Sequence, residues 1–144
     1  MNKEELTNNY FNNLDDKYLI ITGTVPMYST LGKEKFEDII KQVVNEYGGE
    51  YKILFKPHPR AVPTEEQEQF LNSLGIKVLP AAIPIEAIMI VYPNLKLGGF
   101  ASTLYLSAME KDKVLFFFAR SKLDLVQPLD ELYDQVFSNA KFYY

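Results

Sequence analysis

Apolar and polar positions alternate along this chain with two different periods. From Tyr18 onward, short runs that are apolar on both faces take turns with longer stretches that are apolar on one side only. Tyr18-Leu19-Ile20-Ile21-Thr22-Gly23-Thr24 reads as a buried strand ending in a turn of small residues. Lys33 to Tyr47 places Phe36, Ile39, Ile40, Val43, Val44 and Tyr47 at the spacing of one helical face, and Gly48-Gly49 stops it. Tyr51 to Phe55 is the next strand. Thr64-Glu65-Glu66-Gln67, behind Pro63, carries the capping-box pattern, and Phe70, Leu71 and Leu74 continue that helix to Gly75. Ile76 to Leu79 is a third strand, and Ile85 to Val91 a short helix starting beside Pro84. Lys96-Leu97 leads into Gly98-Gly99, read as a two-glycine turn, with Ser102 and Thr103 at the N-cap of an amphipathic helix. Val114 to Phe118 is a wholly apolar strand, and Pro128 opens a last helix through Leu129, Leu132, Val136 and Phe137.

Strands that are apolar on both faces and alternate with helices predict an α/β fold. Its core is a parallel, Rossmann-like sheet flanked by helices on both sides. Such a sheet binds ligands at the carboxyl ends of its strands, which here are Thr22–Thr24, Lys56–Arg60, Leu79–Glu86, Gly98–Thr103 and Ala119–Lys122. Residues 1–17, polar and rich in asparagine, read as an arm or short helix, and residues 18–144 as the domain itself. The aromatic end Lys141-Phe142-Tyr143-Tyr144 reads either as a frayed terminus or as a surface that docks on a partner.

Composition narrows the chemistry. The 144 residues suit one domain with a real core. The net charge of −4, with Arg60 and Arg120 as the only arginines, argues against nucleic acid as a partner. The absence of cysteine removes disulfides, zinc–thiolate sites and thiol catalysis, and fits a cytoplasmic protein. No apolar run is long enough to span a bilayer. Neither the dinucleotide nor the P-loop glycine fingerprint occurs. No Asp-x-Asp pair and no His/Asp cluster stands at ligand spacing, so no metal is expected.

Three stretches carry candidate chemistry. Lys56-Pro57-His58-Pro59-Arg60 follows a strand directly and holds the only histidine. The two prolines keep Lys56 and His58 out of helical geometry and make a stiff corner that presents Lys, His and Arg. Such a corner suits a phosphate, with the lysine and arginine as charges and the imidazole as a donor or proton shuttle. Gly98 to Thr103 combines glycines with hydroxyls at a helix start, a second phosphate cradle. Glu86 sits among apolar residues at a helix start, where it either complements the helix dipole or accepts hydrogen bonds from a ribose diol. The sequence leaves both readings open.

Taken in order, Lys56-Pro57-His58-Pro59-Arg60 and Gly98-Gly99-Phe100-Ala101-Ser102-Thr103-Leu104-Tyr105 resemble the HP and SS/ST motifs of bacterial sialyltransferases. Ile21-Thr22-Gly23-Thr24, Ile83-Pro84-Ile85-Glu86 and Ser102 to Ser107 extend the likeness over most of the chain from Tyr18 onward. The multifunctional α2,3/α2,6 enzymes are the most similar, and the lipooligosaccharide sialyltransferases more distantly so. The resemblance implies the nucleotide-binding lobe of a two-lobed GT-B glycosyltransferase that binds CMP-sialic acid as donor substrate. By position, His58 would hydrogen-bond the CMP phosphate and help protonate it as it leaves. Ser102 and Thr103 would bind the same phosphate, Glu86 the ribose hydroxyls, and Gly23, Lys56 and Pro57 would line the cytidine pocket.

The family reaction inverts the anomeric centre without a metal or other cofactor, and its partners are a nucleotide-sugar donor and a glycan acceptor. Thr103 stands where the nearest relatives have a second serine, and keeps the hydroxyl. The family's catalytic base lies on an N-terminal lobe that this sequence is expected to lack, so an isolated chain is expected to turn over little. A bacterial role in lipooligosaccharide or capsule synthesis follows, with peripheral membrane association through the full-length enzyme. Two other readings use the same corner: transfer of another nucleotide-activated sugar, and a non-catalytic nucleotide-binding or assembly module.

Overall fold

A computed structural model of the chain describes residues 5, 8–11, 17–23, 32–92, 94–99, 114–117 and 141–142. Six strands form one parallel sheet: β1 (Tyr18–Thr22), β2 (Lys52–Lys56), β3 (Lys77–Val78), β4 (Lys96–Gly99), β5 (Val114–Phe117) and β6 (Lys141–Phe142). Three helices connect the first four: α1 (Lys33–Tyr47), α2 (Glu65–Ser73) and α3 (Ile85–Val91). The strand order is β3-β2-β1-β4-β5-β6. Every pairing is parallel. That order is the doubly wound one, and the chain reverses direction between β1 and β4. The α/β, Rossmann-like architecture read from the sequence is the one observed.

β1 shows why the strands carry no polar alternation. Tyr18 and Ile20 join one apolar cluster with Leu54, Leu79, Ile85, Ile88, Leu95 and Leu97. Leu19 and Ile21 join another with Phe36, Ile39, Ile40, Val43, Phe55 and Leu71. The helices α1 and α2 cover that second face, and α3 covers the first, so both pleat directions of β1 are buried. Phe11 is fully buried in the α3-side cluster, stacked on Tyr92 with ring centroids 4.3 Å apart. The Tyr92 hydroxyl donates to the Phe11 carbonyl at 3.0 Å. At the start of α2, Thr64 Oγ1 accepts from the Gln67 N–H at 3.2 Å, and Gln67 Oε1 accepts from the Thr64 N–H at 2.7 Å. The capping box therefore forms as its spacing predicts.

Two expectations need correction. Gly98 and Gly99 do not make a turn; they are the last two residues of β4, paired with Ile21 and Thr22 of β1. Their lack of a side chain serves packing inside the sheet. A Cβ on Gly98 would overlap the ring of Phe116, which the shifted register after Leu97 sets opposite Gly98. A Cβ on Gly99, whose φ is +139°, would run into the Thr22 backbone and meet Thr22 Oγ1 at 2.8 Å. Nor do Lys141 and Phe142 belong to a frayed or docking tail. They pair in register with Phe116 and Phe117 as the sixth strand, because backbone pairing at a free sheet edge satisfies polar groups that a loose end leaves to water. The predicted helices after Ser102 and after Pro128 lie outside the described residues, as does the arm apart from residues 5, 8–11 and 17.

Candidate functional site

Three loops leave the carboxyl ends of β1, β2 and β3 and meet around one cleft of about 290 Å³. β1 contributes Thr22 and Gly23, β2 contributes Lys56 to Pro59, and the segment into α3 contributes Ala81 to Glu86. Of the predicted site residues, Gly23, Lys56, Pro57, His58 and Glu86 all line this cleft. Ser102 and Thr103 lie outside the described residues. The loops are held to the sheet by its own hydrogen bonds: the Gly23 N–H donates to the Lys56 carbonyl at 2.9 Å, and the Leu79 N–H to the Phe55 carbonyl at 2.8 Å.

Lys56 does not present its charge as the corner reading expects. Its side chain is only 6% exposed. Its ammonium donates to the Pro57 carbonyl at 2.7 Å and to the Ala81 carbonyl at 2.9 Å. Burial pushes this ammonium below the usual lysine range, and the charge of Glu86 pulls the other way. Lys56 thus ties the loop after β2 to the segment before α3, lining the cleft as a strut. A lysine at a strand end inside a sheet has its stem among apolar neighbours, and carbonyls are the acceptors within reach. Arg60, the other cation of the corner, is exposed and is not among the cleft-lining residues.

His58 is the half-buried ring of the corner. Its Nδ1 accepts from the backbone N–H of Arg60 at 3.0 Å. Its own carbonyl accepts from the Ala61 N–H at 2.9 Å, which closes the turn over Pro59. Pro59 has no N–H, so the first main-chain donor after His58 is that of Arg60. Sequence reading missed this amide as the partner of the imidazole, although the His-Pro-Arg order was the signal. It also missed Ala81, whose carbonyl anchors Lys56, and Thr22, whose hydroxyl donates to the Gly98 carbonyl at 3.2 Å across the β1–β4 junction. Glu86 lies exposed in the first turn of α3, at the rim of the cleft.

Chemically, the cleft offers one imidazole, one rim carboxylate and a buried ammonium within walls of proline, alanine and isoleucine. Among the described residues, no group of three or more His, Asp or Glu side chains stands where it could hold a metal ion, and no helix is long and apolar enough to cross a membrane. Compared with models of protein families, residues 34–138 match the family described as Sialyltransferase PMO188. The matched span includes Lys56, Pro57, His58, Glu86, Ser102 and Thr103, while Gly23 precedes it. A comparison with curated proteins gave no match.

Proposed function

This chain belongs to the Sialyltransferase PMO188 family of glycosyltransferases, and from that premise we propose that its cleft is the donor site for CMP-sialic acid. The observation that carries the reading is the meeting of Gly23, Lys56, Pro57, His58 and Glu86 around one cleft at the carboxyl edge of a doubly wound sheet. In this reading the apolar wall of Pro57 and the Gly23 backbone take the cytosine ring, and Glu86 accepts from the ribose hydroxyls. His58 donates to the phosphate, together with the hydroxyls of Ser102 and Thr103. Lys56 holds the two loops that carry His58 and Glu86 at their spacing.

Transfer then follows the chemistry of an inverting glycosyltransferase. An acceptor hydroxyl attacks the anomeric carbon, the C–O bond to phosphate breaks, and its electron pair leaves on CMP. The acceptor's proton goes to a general base, which this reading puts on a second lobe of a GT-B architecture, facing the cleft with the glycan acceptor. The reaction needs no metal, since a monophosphate carries less charge than a diphosphate and hydrogen-bond donors suffice for it.

Calorimetric titration with CMP, with UMP and AMP as controls, tests the site. The expected result is selective CMP binding that His58→Ala weakens by about ten- to a hundred-fold, the worth of one hydrogen bond to a charged group. Equal binding of all three nucleotides, or unchanged affinity in His58→Ala, would overturn the assignment. Ser102→Ala combined with Thr103→Val should weaken CMP more than cytidine, because only the phosphate contacts are lost.

A further inference from the structure

We propose that Phe11 and Tyr92 are positioning residues for the cleft: they clamp the far end of α3, so that docking of residues 8–11 and binding beside Glu86 are coupled. The identity of the ligand rests on the donor-site reading, whereas the coupling rests on how α3 is held. That helix has seven residues, and its N-cap, Pro84, makes no side-chain cap hydrogen bond. A helix of that length does not persist in water by itself, so contacts from other elements keep it in place. Ile85 and Ile88 supply some of them, buried in the cluster on that face of the sheet.

The two ends of α3 are held by different means. At the cleft end, the Lys56 ammonium takes the Ala81 carbonyl and fixes the segment that enters the helix. At the other end, the Tyr92 N–H closes the last turn on the Ile88 carbonyl at 2.9 Å. The Tyr92 ring stacks on Phe11, and its hydroxyl donates to the Phe11 carbonyl. Phe11 also meets Tyr18 of β1 edge-on, with ring centroids 4.8 Å apart, and so ties the end of α3 to an interior strand. Among the described residues before β1, Glu5, Asn8, Asn9 and Lys17 are exposed and Tyr10 is half-buried, while Phe11 is fully buried. The Lys77 ammonium reaches the Asn9 carbonyl only at 3.4 Å, a weak tether. The anchor of the segment is therefore one aromatic ring, and that ring bears on the helix that carries Glu86.

Glu86 and Tyr92 stand six positions apart, about 9 Å along a helix. Over so short a span the helix moves as a unit. Opening the clamp frees α3 to tilt or unwind and takes Glu86 away from the wall built by Ala81 to Ile85. By reciprocity, a ligand that needs this wall holds the clamp shut.

Hydrogen–deuterium exchange of the full chain reads the coupling without any nucleotide. Phe11→Leu keeps an apolar side chain and loses both ring pairs; it is expected to speed exchange at the Ala87 N–H about tenfold. That amide closes the first turn of α3 on the Pro84 carbonyl at 3.1 Å, next to Glu86. The Gly48 N–H at the end of α1 should keep its rate. Tyr92→Phe loses only the hydroxyl bond, serves if Phe11→Leu fails to fold, and should speed Ala87 about two- to tenfold. Unchanged exchange at Ala87 in a folded variant, or an equal rise at Gly48, overturns the proposal. In the native chain, CMP at about a hundred times its Kd should slow exchange at the Tyr92 N–H about a hundredfold and leave Gly48 unchanged. No slowing at Tyr92 in a chain that calorimetry shows to bind CMP overturns the proposal too. A chain that binds no CMP defeats the donor-site reading, and the coupling is then decided by the nucleotide-free rates.

Discussion

The two ends of the same sheet hold cavities of opposite character. At the amino end of β2 and β3 lies the larger one, about 390 Å³, between the ends of α1 and α2. Its rim includes Tyr10, Gly48, Tyr51, Lys52, Gly75 and Lys77, and both lysines are exposed. At the carboxyl end, the smaller cleft of about 290 Å³ has a buried lysine, a histidine with its Nδ1 engaged and three prolines at residues 57, 59 and 84 around it. Volume favours the first and chemistry the second. The two lysines of the amino end stand exposed at the starts of β2 and β3, where water solvates their charges and no ligand is needed to account for them. The carboxyl end instead holds polar groups in fixed positions, which ligand binding requires and fold stability does not.

The sharpest way to break this contrast is to add one methyl group at each end. Gly99→Ala puts a Cβ against the Thr22 backbone at a φ of +139°, so neither neighbour nor backbone can yield cheaply. We expect a loss of about 3 kcal/mol, combining overpacking with backbone strain. Gly49 at the other end has open space around a Cβ, and Gly49→Ala should stay within about 0.5 kcal/mol of the native chain. Urea midpoints at constant slope compare the two. Equal losses would mean that the carboxyl edge is no more tightly built than the amino edge.

Lys56→Met sharpens the same point with a smaller effect. The substitution keeps the stem and removes the ammonium, leaving the Pro57 and Ala81 carbonyls unpaired, and should cost about 2 kcal/mol at neutral pH. Its pH signature has a definite sign. Burial lowers the Lys56 pKa below its ordinary 10.5, so between the two values the unfolded chain holds a proton that the folded one has released. Raising pH through that window therefore favours folding. The native chain should gain stability relative to Lys56→Met as pH climbs toward 10.5, measured by thermal unfolding of both. A difference that stays flat or narrows would show that Lys56 is not desolvated as its position requires.

Local signals made much of this legible. α1 and α3 have the bounds that their apolar spacing gives, and the Thr64–Gln67 box caps α2 as its residues predict. The site corner was legible too, since a His between two prolines after an apolar strand can stand only at the carboxyl edge. What failed were features decided by distant partners. The glycines of β4 answer to Thr22 and Phe116, residues 77 and 18 positions away in the sequence for Gly99 and Gly98 respectively. Lys56 is buried because Ala81, on another loop, offers it a carbonyl. Lys141 and Phe142 pair with β5 across the edge of the sheet, which no local pattern marks. Charge and flexibility are read from single residues; burial is a property of the pair.

The smallest expected effect decides whether the larger cavity is a binding site at all. Lys77 lies at its rim and reaches the Asn9 carbonyl at 3.4 Å, the geometry of a weak, exposed contact. If the cavity at the amino end serves no nucleotide, Lys77→Ala should leave CMP affinity unchanged in the same titration in which His58→Ala weakens it. Stability should also change little, since an exposed lysine loses only a marginal contact. A Lys77→Ala variant with clearly weaker CMP binding would reverse the comparison, because the two ends of a sheet are too far apart for one nucleotide to touch both. Placing the nucleotide at the amino end would also remove His58 from the phosphate, so the two substitutions cannot both weaken CMP through direct contact.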